Sequence, residues 1–159
     1  MDVFYFDFAR PQAYLIAETM VQAEWVPVRA HDIDPTAPSL DGLAEQVEDR
    51  RLQPFNAPTE FPFDAEAALL AATYAATIGK VVAFTLAAFR QAYAGGRSLS
   101  DPDNVVIAAA ACEMHPRAVM QAIEREAIAQ RLADATTLAR ERIATVPSVW
   151  SPRGSGGNG

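Results

Sequence analysis

Val3-Phe4-Tyr5-Phe6-Asp7-Phe8-Ala9-Arg10-Pro11-Gln12-Ala13-Tyr14-Leu15 is the stretch whose reading decides the fold. Val3 to Phe8 are aromatic or β-branched apart from Asp7, which suits a pleated, mostly buried strand. Pro11 has no backbone N–H to leave unpaired, and its fixed φ fits a first helical turn. Tyr14 and Leu15 open an apolar helical face that Met20 and Val21 continue. A strand that delivers the chain to a helix N-terminus leaves N–H groups and a dipole that favour an anion or a thiolate. Arg10 lies at that junction.

Outward from this stretch, Trp25 to Ala30 reads as a second strand, pushed towards a sheet edge by Pro27. Strand, helix and strand make a βαβ unit with parallel pairing. Residues 31–39, with Asp32, Asp34, Pro35 and Pro38, read as loop. Ser39 or Asp41 caps a short helix running to about Leu52, and Pro54, Pro58 and Pro62 keep the next stretch extended. An Ala-rich block of helices follows. Asp64 caps the first, which stops at Gly79. The second runs from Lys80 to Tyr93, and Gly95-Gly96 ends it. Ser100 caps a third over Val105 to Cys112. Pro116 starts a fourth, with a break near Glu126 and helical pattern on to Ile143. Thr145 to Trp150 is a short strand, and the Gly- and Ser-rich tail from Ser151 to Gly159 reads as disordered.

Composition narrows the function classes. The 159 residues fit one domain with a substantial core, and 13 basic against 20 acidic residues give a net charge of −7. Nucleic-acid binding needs a basic face and is disfavoured. No run has the length and purity of a membrane span, and Met1-Asp2 leads straight into the first strand, so a cytoplasmic protein is the simplest reading. The single cysteine, Cys112, excludes an internal disulfide and a Cys-x-x-Cys pair. It reads as a small buried hydrophobe on an Ala-rich helix. His31 and His115 lack metal-ligand spacing, so no metal site is expected. His115, directly before Pro116, stands at a helix-capping place. Asp7 in its apolar strand calls for a buried polar partner, and Tyr14 reads as core with its hydroxyl hydrogen-bonded. Lys80 reads as a solvated surface residue.

The order of these motifs resembles the group of thioredoxin folds that contains 2-hydroxychromene-2-carboxylate isomerase, kappa-class glutathione transferase and DsbA-like proteins. Phe6-Asp7-Phe8, Pro11, Tyr14 and Leu15 match its opening F-D-F and x-S-P-x-x-Y-L pattern. Phe61-Pro62-Phe63-Asp64, Ala83-Phe84 to Ala94 and Leu99-Ser100-Asp101-Pro102 are similar to stretches of its helical insert. Val146-Pro147-Ser148 matches its late Gly-Val-Pro motif, with Thr145 where Gly is usual. The match covers about residues 2 to 150. The resemblance implies an α/β, thioredoxin-like fold: residues 1–30 and 144–150 form an incomplete thioredoxin-like part, 31–143 an all-helical insertion, and 151–159 a tail. Against that group the C-terminal sheet is expected to be shortened, the last strands and final helix having no counterpart in the given sequence, either because the protein is a shortened member or because the sequence is cut short. An uncovered sheet edge invites a partner or a second copy, hence a homodimer.

For the site, the resemblance implies a cleft for glutathione, or another small-molecule or thiol ligand, between Arg10-Pro11 and Val146-Pro147. Pro147 is expected in the cis form, with the Val146 backbone pairing with the peptide part of the ligand. Asn56, in the Pro-rich loop, is a loose match to a polar glutathione-holding residue. Arg10 stands where the group has its reactive Ser, or Cys in the oxidoreductase branch. Either Arg10 supplies a positive charge to a thiolate, or it is a solvated residue in a site that has lost its chemistry. Three functions stay open: a glutathione-dependent isomerase or transferase relative, a non-catalytic binding or dimerisation module, and a thiol–disulfide oxidoreductase relative. The last lacks a cysteine at the helix start.

Overall fold

The computed structural model describes residues 1–20 and 22–152, so Val21 and most of the predicted disordered tail lie outside the described residues. A three-stranded sheet is built from β1 (Val3–Phe6), β2 (Glu24–Pro27) and β3 (Ser148–Trp150), in the order β2-β1-β3. β1 pairs with β2 in parallel, Val3 opposite Glu24, and with β3 antiparallel, Val3 opposite Trp150. β2 is an edge strand, which suits Pro27.

β1 ends at Phe6 rather than Phe8, because Asp7 leaves the ladder and its Oδ1 accepts a bond from the Ala9 N–H at 2.9 Å. The first helix, α1 (Gln12–Ala17), has only six residues. It stops where Thr19 Oγ1 bonds back to the Leu15 and Ile16 carbonyls, a local alternative to further helical turns. The helix therefore ends short of Met20, which still packs against the core that Tyr14 and Leu15 join, and so short a helix is no anion site by its dipole. Residues 30–32 make one turn of 3₁₀ helix inside the loop that follows β2.

Six longer helices follow. They are α2 (Leu43–Asp49), α3 (Glu66–Thr77), α4 (Val81–Tyr93), α5 (Pro102–Ala110), α6 (Pro116–Glu124) and α7 (Glu126–Arg140). Several starts differ from the expected ones. Gly42, in the left-handed region at φ 74°, precedes α2, while Ser39 Oγ only closes a turn with Asp41 N. Asp101, not Ser100, caps α5 by accepting from Asp103 N at 2.9 Å. Ser100 Oγ turns instead to Glu60 Oε1. Asp64 Oδ1 takes the Glu66 N–H at the start of α3, and His115 Nδ1 takes the Arg117 N–H at the start of α6, as expected. The break between α6 and α7 falls at Arg125, whose backbone is extended. Removing the α5 cap with Asp101→Ala should lower stability by about 1 kcal/mol, read as a shift in the urea midpoint; no shift would mean that Pro102 alone holds that turn.

The two faces of the sheet are buried differently. Phe4, Phe6 and Phe8 join Trp25 and the inner faces of α1, α3, α4 and α5 in one core. The sheet and the helices inserted after β2 thus share their hydrophobic interior. On the other face Val3, Tyr5, Val28 and Val146 pack with Ala139 of α7. The last helix of the expected insertion therefore covers the sheet. Thr136 of α7 accepts the Arg29 N–H at 3.1 Å and so pins α7 to the end of β2. Arg142 closes this side, donating to the Tyr5 hydroxyl at 2.8 Å and lying 3.8 Å over the Trp150 ring.

Candidate functional site

The cleft is assembled at the end of the sheet where β1 runs out. Asp7 is the first fastening. Buried at 4% exposure, it spans the two parallel strands, with Oδ1 on the Ala9 N–H and Oδ2 on the Ala30 N–H at 2.8 Å. Burial raises its carboxyl pKa, opposed by those two N–H groups and by Arg10. Tyr93 of α4 is the second fastening, its hydroxyl donating to the Phe8 carbonyl at 2.6 Å. Together they fix the turn that carries Arg10.

Arg10 is neither solvated nor free. It is 7% exposed, and its guanidinium crosses to the loop after β2. There Nη2 donates to the Asp34 carbonyl oxygen at 2.8 Å, and Nη1 lies 3.5 Å from Asp34 Oδ2. The Asp34 carboxylate is held from other sides as well. Its Oδ1 accepts from Thr36 N at 3.0 Å, an Asx turn, and its Oδ2 accepts from Val146 N at 3.2 Å. The Thr36 N–H first, then the Thr36 side chain, the Val146 N–H and the charge of Arg10, hold its pKa below the usual carboxylate value despite burial.

The Val146–Pro147 bond is cis, as the sequence implied. Pro147 removes one ladder donor, and strand pairing begins only at Ser148. Arg10, Gln12, Asp34, Ser39, Val146 and Pro147 are among the residues lining one cleft of about 460 Å³. Gln12 donates to the Ser39 carbonyl at 3.1 Å across its rim.

The structure thus brings together Arg10, Val146 and Pro147 of the expected site residues. Pro11 is buried, precedes α1 with helical backbone, and is not among the residues that line the cleft. Asn56 is not brought to the cleft. Its side chain donates to the Ala94 carbonyl at 2.7 Å and its N–H to that of Tyr93, so it fastens the Pro-rich loop to the end of α4. Lys80 is no free surface lysine; its ammonium caps α5 at the Cys112 carbonyl, 2.9 Å away. Tyr14 is fully buried as core, but its hydroxyl has no partner among the described residues. Cys112 is half-buried at the end of α5 and does not line the cleft, and burial raises its thiol pKa.

Asp34 is the residue that sequence reasoning passed over. Its local signal, an Asp ahead of Pro35 and Thr36, announces a turn but not a contact with Arg10 and Val146. Among the described residues there is no group of three or more His, Cys, Asp or Glu that could hold a metal. No described helix is long and apolar enough to cross a membrane.

No protein-family model and no curated sequence matches this chain. Solved structures do match. 2-Hydroxychromene-2-carboxylate isomerase (HCCA isomerase) gives a TM-score of 0.75 at 16% identity over 94% of this chain and 84% of that one. A DsbA variant from Pseudomonas aeruginosa gives 0.59 at 14% identity, covering 93% and 69%. The oxidoreductase DsbA from Xylella fastidiosa gives 0.57 at 13% identity, covering 93% and 70%. The chain has the thioredoxin-like fold of these proteins, with its helical insertion.

Proposed function

We propose that this chain keeps the ligand cleft of the DsbA and HCCA isomerase-like fold as a small-molecule binding site and carries out no thiol chemistry there. The observation that carries this reading is the pairing of Arg10 with Asp34. Ahead of α1, where the resemblance implies a hydroxyl or thiol, stands a guanidinium already committed to a neighbouring loop. A thiol–disulfide mechanism needs an accessible, thiolate-prone cysteine. Cys112, the one cysteine of the chain, has a raised pKa and lies outside the cleft lining.

Two assays test this: dithiothreitol-driven insulin reduction, and glutathione-dependent isomerisation of an aromatic substrate. Both should run at the rate without protein. Turnover in either that rises with the amount of this chain, and is absent from a mock preparation, would overturn the proposal.

A glutathione-dependent isomerase or transferase relative is the second reading. It is favoured by the meeting of Arg10 with Val146-Pro147 at one cleft, in a chain whose fold is that of HCCA isomerase. In that case Arg10 would stabilise a glutathione thiolate, Val146 would pair with its peptide part, and Arg10→Ala would remove the turnover.

A further inference from the structure

We propose that Asp34 is an internal occupant of the cleft, whose carboxylate keeps anionic ligands off Arg10 and the Val146 N–H. This rests on the reading of the cleft as a ligand site and adds which charge it excludes. Two donors point at this end of the cleft, the Arg10 guanidinium and the Val146 N–H, and Asp34 Oδ2 stands between them at 3.5 and 3.2 Å. That is the arrangement a ligand carboxylate or thiolate would adopt. The occupant is tethered, so its local concentration exceeds that of a free anion. It is anchored twice more, through Thr36 N to its other oxygen and through Arg10 Nη2 to its own carbonyl. Its side chain is 8% exposed, as is that of Arg10. Displacing it would leave a buried carboxylate without its partners, and leaving it in place would set a second anion against a like charge. The ligand of the native cleft is therefore uncharged or cationic at this end.

The test is calorimetric titration of glutathione and of S-methylglutathione into the full chain, Asp34→Asn, Asp34→Ser, and Asp34→Asn combined with Arg10→Met. Asn keeps the volume, and Ser keeps a turn acceptor for Thr36 N without a charge. Near-ultraviolet circular dichroism checks that each variant is folded. The expected result is a gain in affinity of about tenfold or more in the single variants, reversed when Arg10 is also replaced. A gain shared by both probes assigns the excluded group as carboxylate, and one confined to glutathione assigns it as thiolate; either supports the inference. Folded single variants that bind no better than the native chain would overturn it, as would a native chain that binds as tightly as they do. Unimproved variants beside an inert native chain leave the loss of thiol chemistry standing, because only turnover contradicts that.

Discussion

Phe89→Ala will lower folding stability by about 3–5 kcal/mol, a large part of the total of about 5–15 kcal/mol that a domain possesses. Phe89 sits on α4, is fully buried, and is the point where the inserted helices meet the sheet. Its ring centroid is 4.9 Å from that of Phe8 and 6.1 Å from that of Phe6, both carried by the first strand and its turn. It also faces Tyr14 of α1 at 6.2 Å and Tyr93 of its own helix at 6.3 Å. Truncation leaves a ring-sized cavity that four rigid aromatic neighbours cannot close. Urea unfolding should show a single transition in both proteins, with tryptophan fluorescence from the sheet and far-ultraviolet circular dichroism from the helices coincident. Two separated transitions would mean that sheet and helices do not share the core that Phe89 bridges.

Asp7→Ala will cost about 2–4 kcal/mol. It leaves the Ala9 and Ala30 N–H groups without their acceptors at 2.9 and 2.8 Å, the first partly and the second fully buried. Relief from burying a charge offsets part of that loss, which is why the figure stays below two full charged hydrogen bonds. The pH dependence separates the two effects. The folded-state pKa of Asp7 is raised above the ordinary value of 3.8, so the folded protein holds this proton more tightly than the unfolded chain does. The group's contribution to stability is fully present below 3.8 and is lost as the pH rises through the higher folded value. Urea midpoints of the native chain relative to Asp7→Asn should therefore fall as the pH rises from 3.8. A difference that grew over that range would mean that the N–H groups outweigh burial and that the carboxylate is favoured in the fold.

Much of the fold was legible because it rests on local signals. The aromatic run from Val3 marked the first strand, and Pro27 marked β2 as an edge. Pro102 and Pro116 stand at helix starts, where a missing N–H costs nothing. Val146-Pro147-Ser148 marked the segment that returns to the sheet. Boundaries were less legible, because neighbouring capping residues compete. Ser100 and Asp101 are both good caps, and only the contact of Ser100 with Glu60 decided between them. The length of α1 was hidden for a similar reason, since Thr19 can continue a helix or bond back to it.

By itself, then, the sequence determined the strand–helix–strand opening and the helical block, while the meeting of the Arg10 turn with the Val146-Pro147 segment was implied only by the resemblance. Hydrophobic period, proline and capping chemistry act over a few residues and can be read along the chain. What only the tertiary structure decided is the state of the site. Arg10 read either as a partner for a thiolate or as a solvated charge, and the fold removes the second, because the side chain is buried. Its charge is balanced by Asp34, 24 positions away, whose carboxylate also takes the Val146 N–H, 112 positions further on. Asn56 was a candidate by position and is a loop fastening by contact. Pairings across such separations depend on which side chains the core brings face to face, and the polar residues that make them carry no periodicity that would announce it.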